Sequence, residues 1–260
     1  MNKSRAERPV LVAGGGIGGL AAALALSRQG LAVKVLEQAP EIGEIGAGIQ
    51  LGPNAFAAFD ALGIGEATHA LAVYTDEMVM FDALDETLVG RIPREAEAWS
   101  IREGSKAEVE SYFQGICPRA RQLIDLPKSW KRWATADREP IAQWTFGPGN
   151  RTTLLGDAAH PMLQYLAQGA CMALEDAVTL GEALRVSHPD FAPAFDVYQR
   201  SRVTRTARVV LSAREMGRIF HAKGVERLVR NALWKGRSPE CFFDAMEWLY
   251  GWRVENCLAH

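Results

Sequence analysis

Gly14, Gly16 and Gly19 stand at the spacing G-x-G-x-x-G, after a short apolar run and at the start of an alanine-rich one. The chemistry that this spacing serves is the capture of a pyrophosphate. Gly14 permits a tight turn, Gly16 lets the main chain approach phosphate oxygens, and Gly19 lets the following helix lie close on its strand. Ile17 and Gly18 fall at the helix start, where unpaired N–H groups and the positive end of the helix dipole face an anion. Glu37, followed by Gln38, ends the next apolar run about 20 residues on, where a carboxylate accepts hydrogen bonds from ribose hydroxyls. A flexible surface turn would not need strand, helix and acid all in register. The module binds an adenine dinucleotide, but by itself it does not separate NAD from FAD.

The elements that must position these residues follow from the pattern around them. Pro9–Val12 reads as a strand, Leu20–Leu26 as a helix and Ala32–Leu36 as a second strand, a βαβ unit with a parallel pair. Residues 43–53 form a glycine-rich loop, and Asn54–Leu62 has helical spacing that stops at Gly63. Val79–Phe81 and Leu88–Ile92 flank a polar turn and suit a hairpin. Ser105 and Glu108 have the capping-box spacing of a helix that ends near Gly115. Trp130–Asp137 and Thr152–Leu155 read as strands. From Gln168 to Trp252 the chain is helix-rich, with Pro189, Pro193 and Pro239 as breaks.

The chain has 260 residues, 48% of them hydrophobic, enough to bury a real core. With 29 basic residues against 31 acidic ones there is no overall field to recruit nucleic acid. Cys117, Cys171, Cys241 and Cys257 are widely separated and have no histidine at ligand spacing, so no metal site is expected and the thiols suit a reducing, cytoplasmic setting. No signal peptide and no membrane-spanning run is expected. Residues 200–237 carry eleven basic residues against two acidic ones, which predicts a cationic helical surface, either a solvated face packed against the dinucleotide-binding domain or one that attracts a small acid, an acidic lipid or an acidic partner. Trp133, Trp144 and Trp248 are expected in the core or an interface.

A second motif gives the dinucleotide module its direction. Leu154-Leu155-Gly156-Asp157-Ala158-Ala159-His160-Pro161 resembles the GDAAHP motif of the flavoprotein aromatic hydroxylases, the FAD-dependent aromatic monooxygenases. Gln168-Gly169-Ala170 and Leu174-Glu175-Asp176-Ala177 continue the resemblance, as do Gly46-Ala47-Gly48-Ile49 and Pro53-Asn54-Ala55. The resemblance implies an α/β protein in which a Rossmann-type domain holds FAD. Asp157 would bind the ribitol, Gly169 and Ala170 would bring helix N–H groups under the isoalloxazine, and Gly48 would lie in a loop over the flavin. His160, beside Asp157, is expected to make a structural hydrogen bond rather than to transfer a proton.

Further segments narrow the resemblance to members that hydroxylate a hydroxybenzoate with NADH and dioxygen. They are Glu103–Lys106, Trp133–Pro140, Gln164-Tyr165, Ala167–Asp176 and Met246–Trp252. Gln164 then becomes the candidate catalytic-site side chain for the polar group of a small aromatic acid; the alternative is a glutamine on a solvent face. The chain departs from the family by lacking a long central segment, with the joint expected between Ile92 and Ala98. It also has no Asp-Gly dipeptide, the motif that contacts FAD and assists use of reduced nicotinamide in the family.

The expected organisation is an FAD-binding domain in two parts, 1–71 and 140–185, with a remnant of the substrate domain at 72–139, its sheet reduced. A helical region at 186–260 completes it, and a homodimer is the expected assembly. The competing reading is a non-catalytic or uncoupled FAD-binding protein built on the same frame.

Overall fold

The structure is a computed structural model and describes residues 8–43, 49–74, 77–93, 105–130, 135–187 and 190–258. The βαβ opening is present as β1 (Val10–Ala13), α1 (Ile17–Arg28) and β2 (Val33–Leu36), with Val10 opposite Val33 in a parallel pair. α2 (Pro53–Leu62) begins with proline at its first position, where a missing N–H costs nothing, and ends on Gly63 in the left-handed region at φ 73°. α3 (Gly65–Leu71) follows, then the antiparallel hairpin β3 (Glu77–Phe81) and β4 (Leu88–Pro93). α4 (Lys106–Tyr112) starts as the capping spacing requires, Ser105 Oγ accepting from Glu108 N–H at 3.1 Å. After α5 (Pro118–Asp125), β5 (Thr145–Phe146) and β6 (Thr152–Thr153) pair antiparallel.

Four helices complete the described fold: α6 (Gly169–Ser187), α7 (Phe191–Phe220), α8 (Gly224–Trp234) and α9 (Pro239–Tyr250). Two sequence expectations change. Residues 135–137 carry no strand and Trp130 makes only an isolated bridge, while 131–134 lie outside the described residues. Pro193 does not break a helix. It sits in the first turn of α7, which Asp190 caps, and a first-turn N–H has no intrahelical partner to lose. Pro239 opens α9 behind the Ser238 cap, and Pro189 lies outside the described residues.

α6 is the centre of the molecule, packed by α1, α2 and α7. Its residues from Cys171 to Gly181 are buried without interruption, so polar groups cannot be turned to solvent. Two of them are carboxylates, Glu175 and Asp176, both 0% exposed. Arg202 of α7, also 0% exposed, donates from Nη1 to Glu175 Oε2 and from Nε to Asp176 Oδ1, each at 2.7 Å. Burial alone would push the Asp176 carboxyl up. The charges of His160 and Arg202, with hydrogen bonds from His160 and the Gly156 N–H, hold it instead at about 2. The same pairing raises the Arg202 guanidinium above its ordinary value against the pull of burial.

The expected cationic surface is mostly a set of made ion pairs. Besides Arg202, Arg205 binds Glu175, Arg214 binds Asp137 and Glu139, and Arg227 and Arg230 both bind the buried Asp82 in the hairpin turn. Arg208 lies 3.8 Å over the Trp248 ring, which places that tryptophan at a helix–helix contact, while Trp144 is buried in the core. These arginines hold α7 and α8 to the rest of the fold, while Arg200 and Arg218 pair within α7 on its exposed side.

Replacing Arg202 by leucine takes the shared counter-charge from two desolvated carboxylates, leaving Glu175 to Arg205 and Asp176 to His160 alone, which costs about 3–5 kcal/mol. Urea unfolding of Arg202→Leu is expected to show a loss of that size, against under about 0.5 kcal/mol for Arg218→Leu on the solvent side of the same helix.

Candidate functional site

The glycine turn has the conformation its sequence implies. Gly14 adopts φ 107°, which side chains avoid, and its N–H donates to Leu36 O at 2.8 Å, fastening the turn to the end of β2. Gly16 is the N-cap of α1 in extended conformation. A methyl group at Gly16 would meet nothing within 4 Å, whereas one at Gly19 would run into the Gly14 carbonyl oxygen. Gly16 thus faces open space and Gly19 permits the close approach of helix and strand. Gly18 serves a different contact: a methyl there would lie 2.7 Å from Leu155 Cδ2 and 3.2 Å from Ala173 Cβ, so it is where α1 meets α6. Ile17, the first helical residue, is half exposed.

Glu37 and Gln38 are exposed at the end of β2. The Glu37 carboxylate reaches back to the turn, accepting from Gly15 N–H at 2.6 Å and from Ala39 N–H at 2.8 Å. The Ala39 and Gly15 hydrogen bonds lower its pKa. An ionised carboxylate is thereby fixed at the edge of the turn. Gly48 lies outside the described residues, as do Gly46 and Ala47.

Asp157 lies inside a 3-10 turn, Gly156–Ala158, whose N-cap is Leu155. Its side chain is exposed, and the turn around it is held from three directions. Gly156 N–H donates to Asp176 Oδ2 at 3.0 Å, His160 Nε2 lies 2.6 Å from the same oxygen, and Arg138 Nη2 donates to the carbonyls of Ala158 and Ala159 at 2.5 and 2.8 Å. His160 is 3% exposed and bound to a structural carboxylate, the place of an anchor rather than of a base that meets substrate. Its Nδ1 is buried with no hydrogen-bond partner.

Gly169 and Ala170 open α6 half-buried, and a methyl at Gly169 would meet nothing within 4 Å. Gln164 is exposed on the 3-10 turn Gln164–Leu166 just before them. Arg202 was missed by sequence reasoning, whereas Arg138, Asn54, Glu175 and Asp176 stood in segments that carry the resemblance without the roles they take here. Each works through partners 20 or more residues away, which no local pattern reveals.

The open positions at Gly14, Gly16 and Gly169 form cradles that side chains would fill, and Asp157 offers a free carboxylate where a polyol chain could be read. That donor set fits an adenine dinucleotide continued by ribitol, as in FAD. Residues 12–61 match the family described as NAD(P)-binding Rossmann-like domain. The 3-hydroxybenzoate 6-hydroxylase of Polaromonas naphthalenivorans (strain CJ2) is 50% identical over 401 aligned positions, spanning 100% of both chains. Since this chain supplies 260 residues, at least 141 of those positions have no counterpart in it. The 3-hydroxybenzoate 6-hydroxylase 2 of Aquipseudomonas alcaligenes is 75% identical over 166 residues, 64% of this chain and 51% of that one. Among solved structures, Klebsiella pneumoniae HpxO complexed with FAD and uric acid superposes with TM-score 0.81 at 19% identity over 98% of each chain, a likeness of fold.

These relatives make the chain a flavoprotein aromatic hydroxylase, an FAD-dependent monooxygenase, and the fold agrees. Within that class the chain belongs to the 3-hydroxybenzoate 6-hydroxylase family, whose members take NADH and dioxygen.

The contrast between two glycines is testable. Gly16→Ala is expected to leave the apo protein's stability within about 0.5 kcal/mol of the parent while abolishing FAD uptake, because only the cradle is filled. Gly19→Ala is expected to lose roughly 1–3 kcal/mol, because backbone must move. Thermal melts with and without FAD read both.

Proposed function

We propose that this chain binds FAD non-covalently and directs it against a 3-hydroxybenzoate-like acid, the 6-position being the one hydroxylated and gentisate the product. The observation that carries this reading is the convergence of the Gly14–Gly19 turn, the Asp157 turn and the start of α6, joined by the contact of Gly18 with Leu155 and Ala173. Bound FAD supplies hydride acceptance from NADH and activation of dioxygen.

The chain's own residues supply placement. N–H groups at Ile17 to Gly19 would receive the pyrophosphate, Glu37 with Gln38 the adenosine ribose, and Asp157 the ribitol. The free N–H groups of Gly169 and Ala170 sit at the positive end of a 19-residue helix and would favour negative charge on the flavin ring. Gln164, exposed just ahead of them, would hydrogen-bond the substrate's polar group. We also propose a homodimer, since α8 leaves Val225, Leu228, Val229 and Leu233 exposed in one stripe.

The segment missing relative to the family bears on how the reaction ends. Between α3 and α4 the described residues hold a single two-stranded hairpin, and Leu11 and Leu36 are exposed on the β1–β2 sheet. Hydroxylation requires that the ring be held close to the flavin and water be kept out. With so little wall, the proposed outcome is NADH oxidation that mostly yields hydrogen peroxide, with gentisate a minor product.

Asp157→Ala is expected to weaken FAD binding about tenfold to a hundredfold, the loss of a charge-assisted hydrogen bond of about 1.5–3 kcal/mol, and to change NADH binding little. Fluorescence titration with each nucleotide checks it, and equal FAD affinity in both proteins would remove Asp157 from the site. For the reaction, gentisate and peroxide are quantified per NADH consumed in the presence of 3-hydroxybenzoate. Peroxide is expected to exceed gentisate, and a gentisate yield near one per NADH would show that a closed site survives.

A further inference from the structure

Asn54 is the second residue of α2 and is 0% exposed. Its Nδ2 donates to Gln168 Oε1 at 3.0 Å and to Glu175 Oε1 at 2.7 Å. Positions 168 and 175 are two helical turns apart and share one face of α6, so Asn54 lies along the first two turns of that helix. Gly18, at the start of α1, packs against Ala173 in the same two turns. Three helices therefore bring their N-terminal ends to one place. Each end carries roughly half a positive charge, and like ends repel unless something holds them.

Asn54 does the holding between α2 and α6, and stability alone does not account for an asparagine there. It is not a cap, since Gly52 is the N-cap and no side chain bonds the first turn. Its Oδ1 is buried without a hydrogen-bond partner, a cost that an apolar residue of the same size would not incur. That oxygen faces the chain entering α2: a methyl at Gly52 would lie 2.8 Å from it and 2.6 Å from the Tyr250 ring. One side chain thus reads the approach to α2, the residue preceding Gly169, and the carboxylate that Arg202 and Arg205 hold in place.

We infer that Asn54, acting through Gln168, is a positioning residue for the flavin: it fixes the N-terminal end of α6 against that of α2, and so sets how strongly the Gly169–Ala170 N–H groups stabilise the reduced ring. This rests on the FAD reading above. The pair touches neither substrate nor reacting atoms; its effect passes through the placement of two helix ends. Loosening it lets those ends draw apart, which weakens the field at the ring more for the reduced, negative form than for the oxidised one.

The test uses the full chain with Asn54→Leu, which removes both bonds, and Gln168→Met, which removes one. FAD affinity is titrated in the oxidised and the reduced state, and the bound flavin's midpoint potential is measured independently. For Asn54→Leu the reduced-to-oxidised affinity ratio is expected to fall about tenfold, equivalent to a potential lower by about 30 mV for a two-electron couple. Gln168→Met is expected to shift it the same way by less. Unchanged ratios in both variants would overturn the inference, and so would a lower melting temperature with an unchanged ratio, the behaviour of a purely structural pair. If Asn54→Leu does not fold, Gln168→Met decides by the same criterion. A parent chain that takes up no FAD would overturn the flavin reading itself and this inference with it.

Discussion

One guanidinium in the dry interior organises this protein. A helix buried on every side, α6, carries two carboxylates that cannot reach water, and without Arg202 that arrangement would be prohibitive. Because Arg202 takes one oxygen from each acid, the others are left to organise their surroundings. Asp176 Oδ2 receives Gly156 N–H and His160 and so aims the Asp157 turn. Glu175 Oε1 receives Asn54 and Arg205, and Arg205 carries the connection to the carbonyls of Trp248 and Leu249 at the end of α9. This buried ion-pair network lies behind the proposed site and is connected to it through hydrogen bonds of fixed direction.

The proposed flavin site is built from main-chain groups more than from side chains. Gly14, Gly16 and Gly169 present backbone to open space, and the exposed side chains around them, Glu37, Asp157 and Gln164, are few. Such a site depends on the positions of helix ends, which packing determines. Gly18 against Ala173 and Asn54 against Gln168 are contacts between helices, and they decide where free N–H groups point. A flavoprotein asks this of its scaffold: the cofactor supplies the reactivity and the protein supplies orientation and field.

The parts of the fold legible in the sequence were those with local causes. The glycine turn, the Gly63 stop, the Ser105 cap and the hairpin all depend on residues within a few positions of one another, and each stands where the pattern put it. Pro193 misled because a break is inferred from residue type, whereas its effect depends on distance from the helix start. The basic run from 200 to 237 left its reading open, a packed face or an anion-attracting one, for a related reason. Charge density in sequence does not reveal that Arg202 points inward or that Arg227 and Arg230 find Asp82 on a distant hairpin. At the proposed site, Asp157, Gly169, Asn54 and Arg138 all stand in segments that carry the resemblance, but the partners of Arg138 and Asn54 are set by tertiary contact alone and could not be read.

The contact of Gly18 with Leu155 and Ala173 joins the beginning of the chain to its second half. A ribosome delivers the βαβ unit long before α6 exists. Until then Leu26 can pack on the strands of its own unit, but Ala21, Ala22 and Ala25, buried in the finished protein, lack the α6 surface they pack against. The nascent N-terminal unit must therefore wait, partly bare, for more than half of synthesis, and it is the span most in need of a chaperone's shelter.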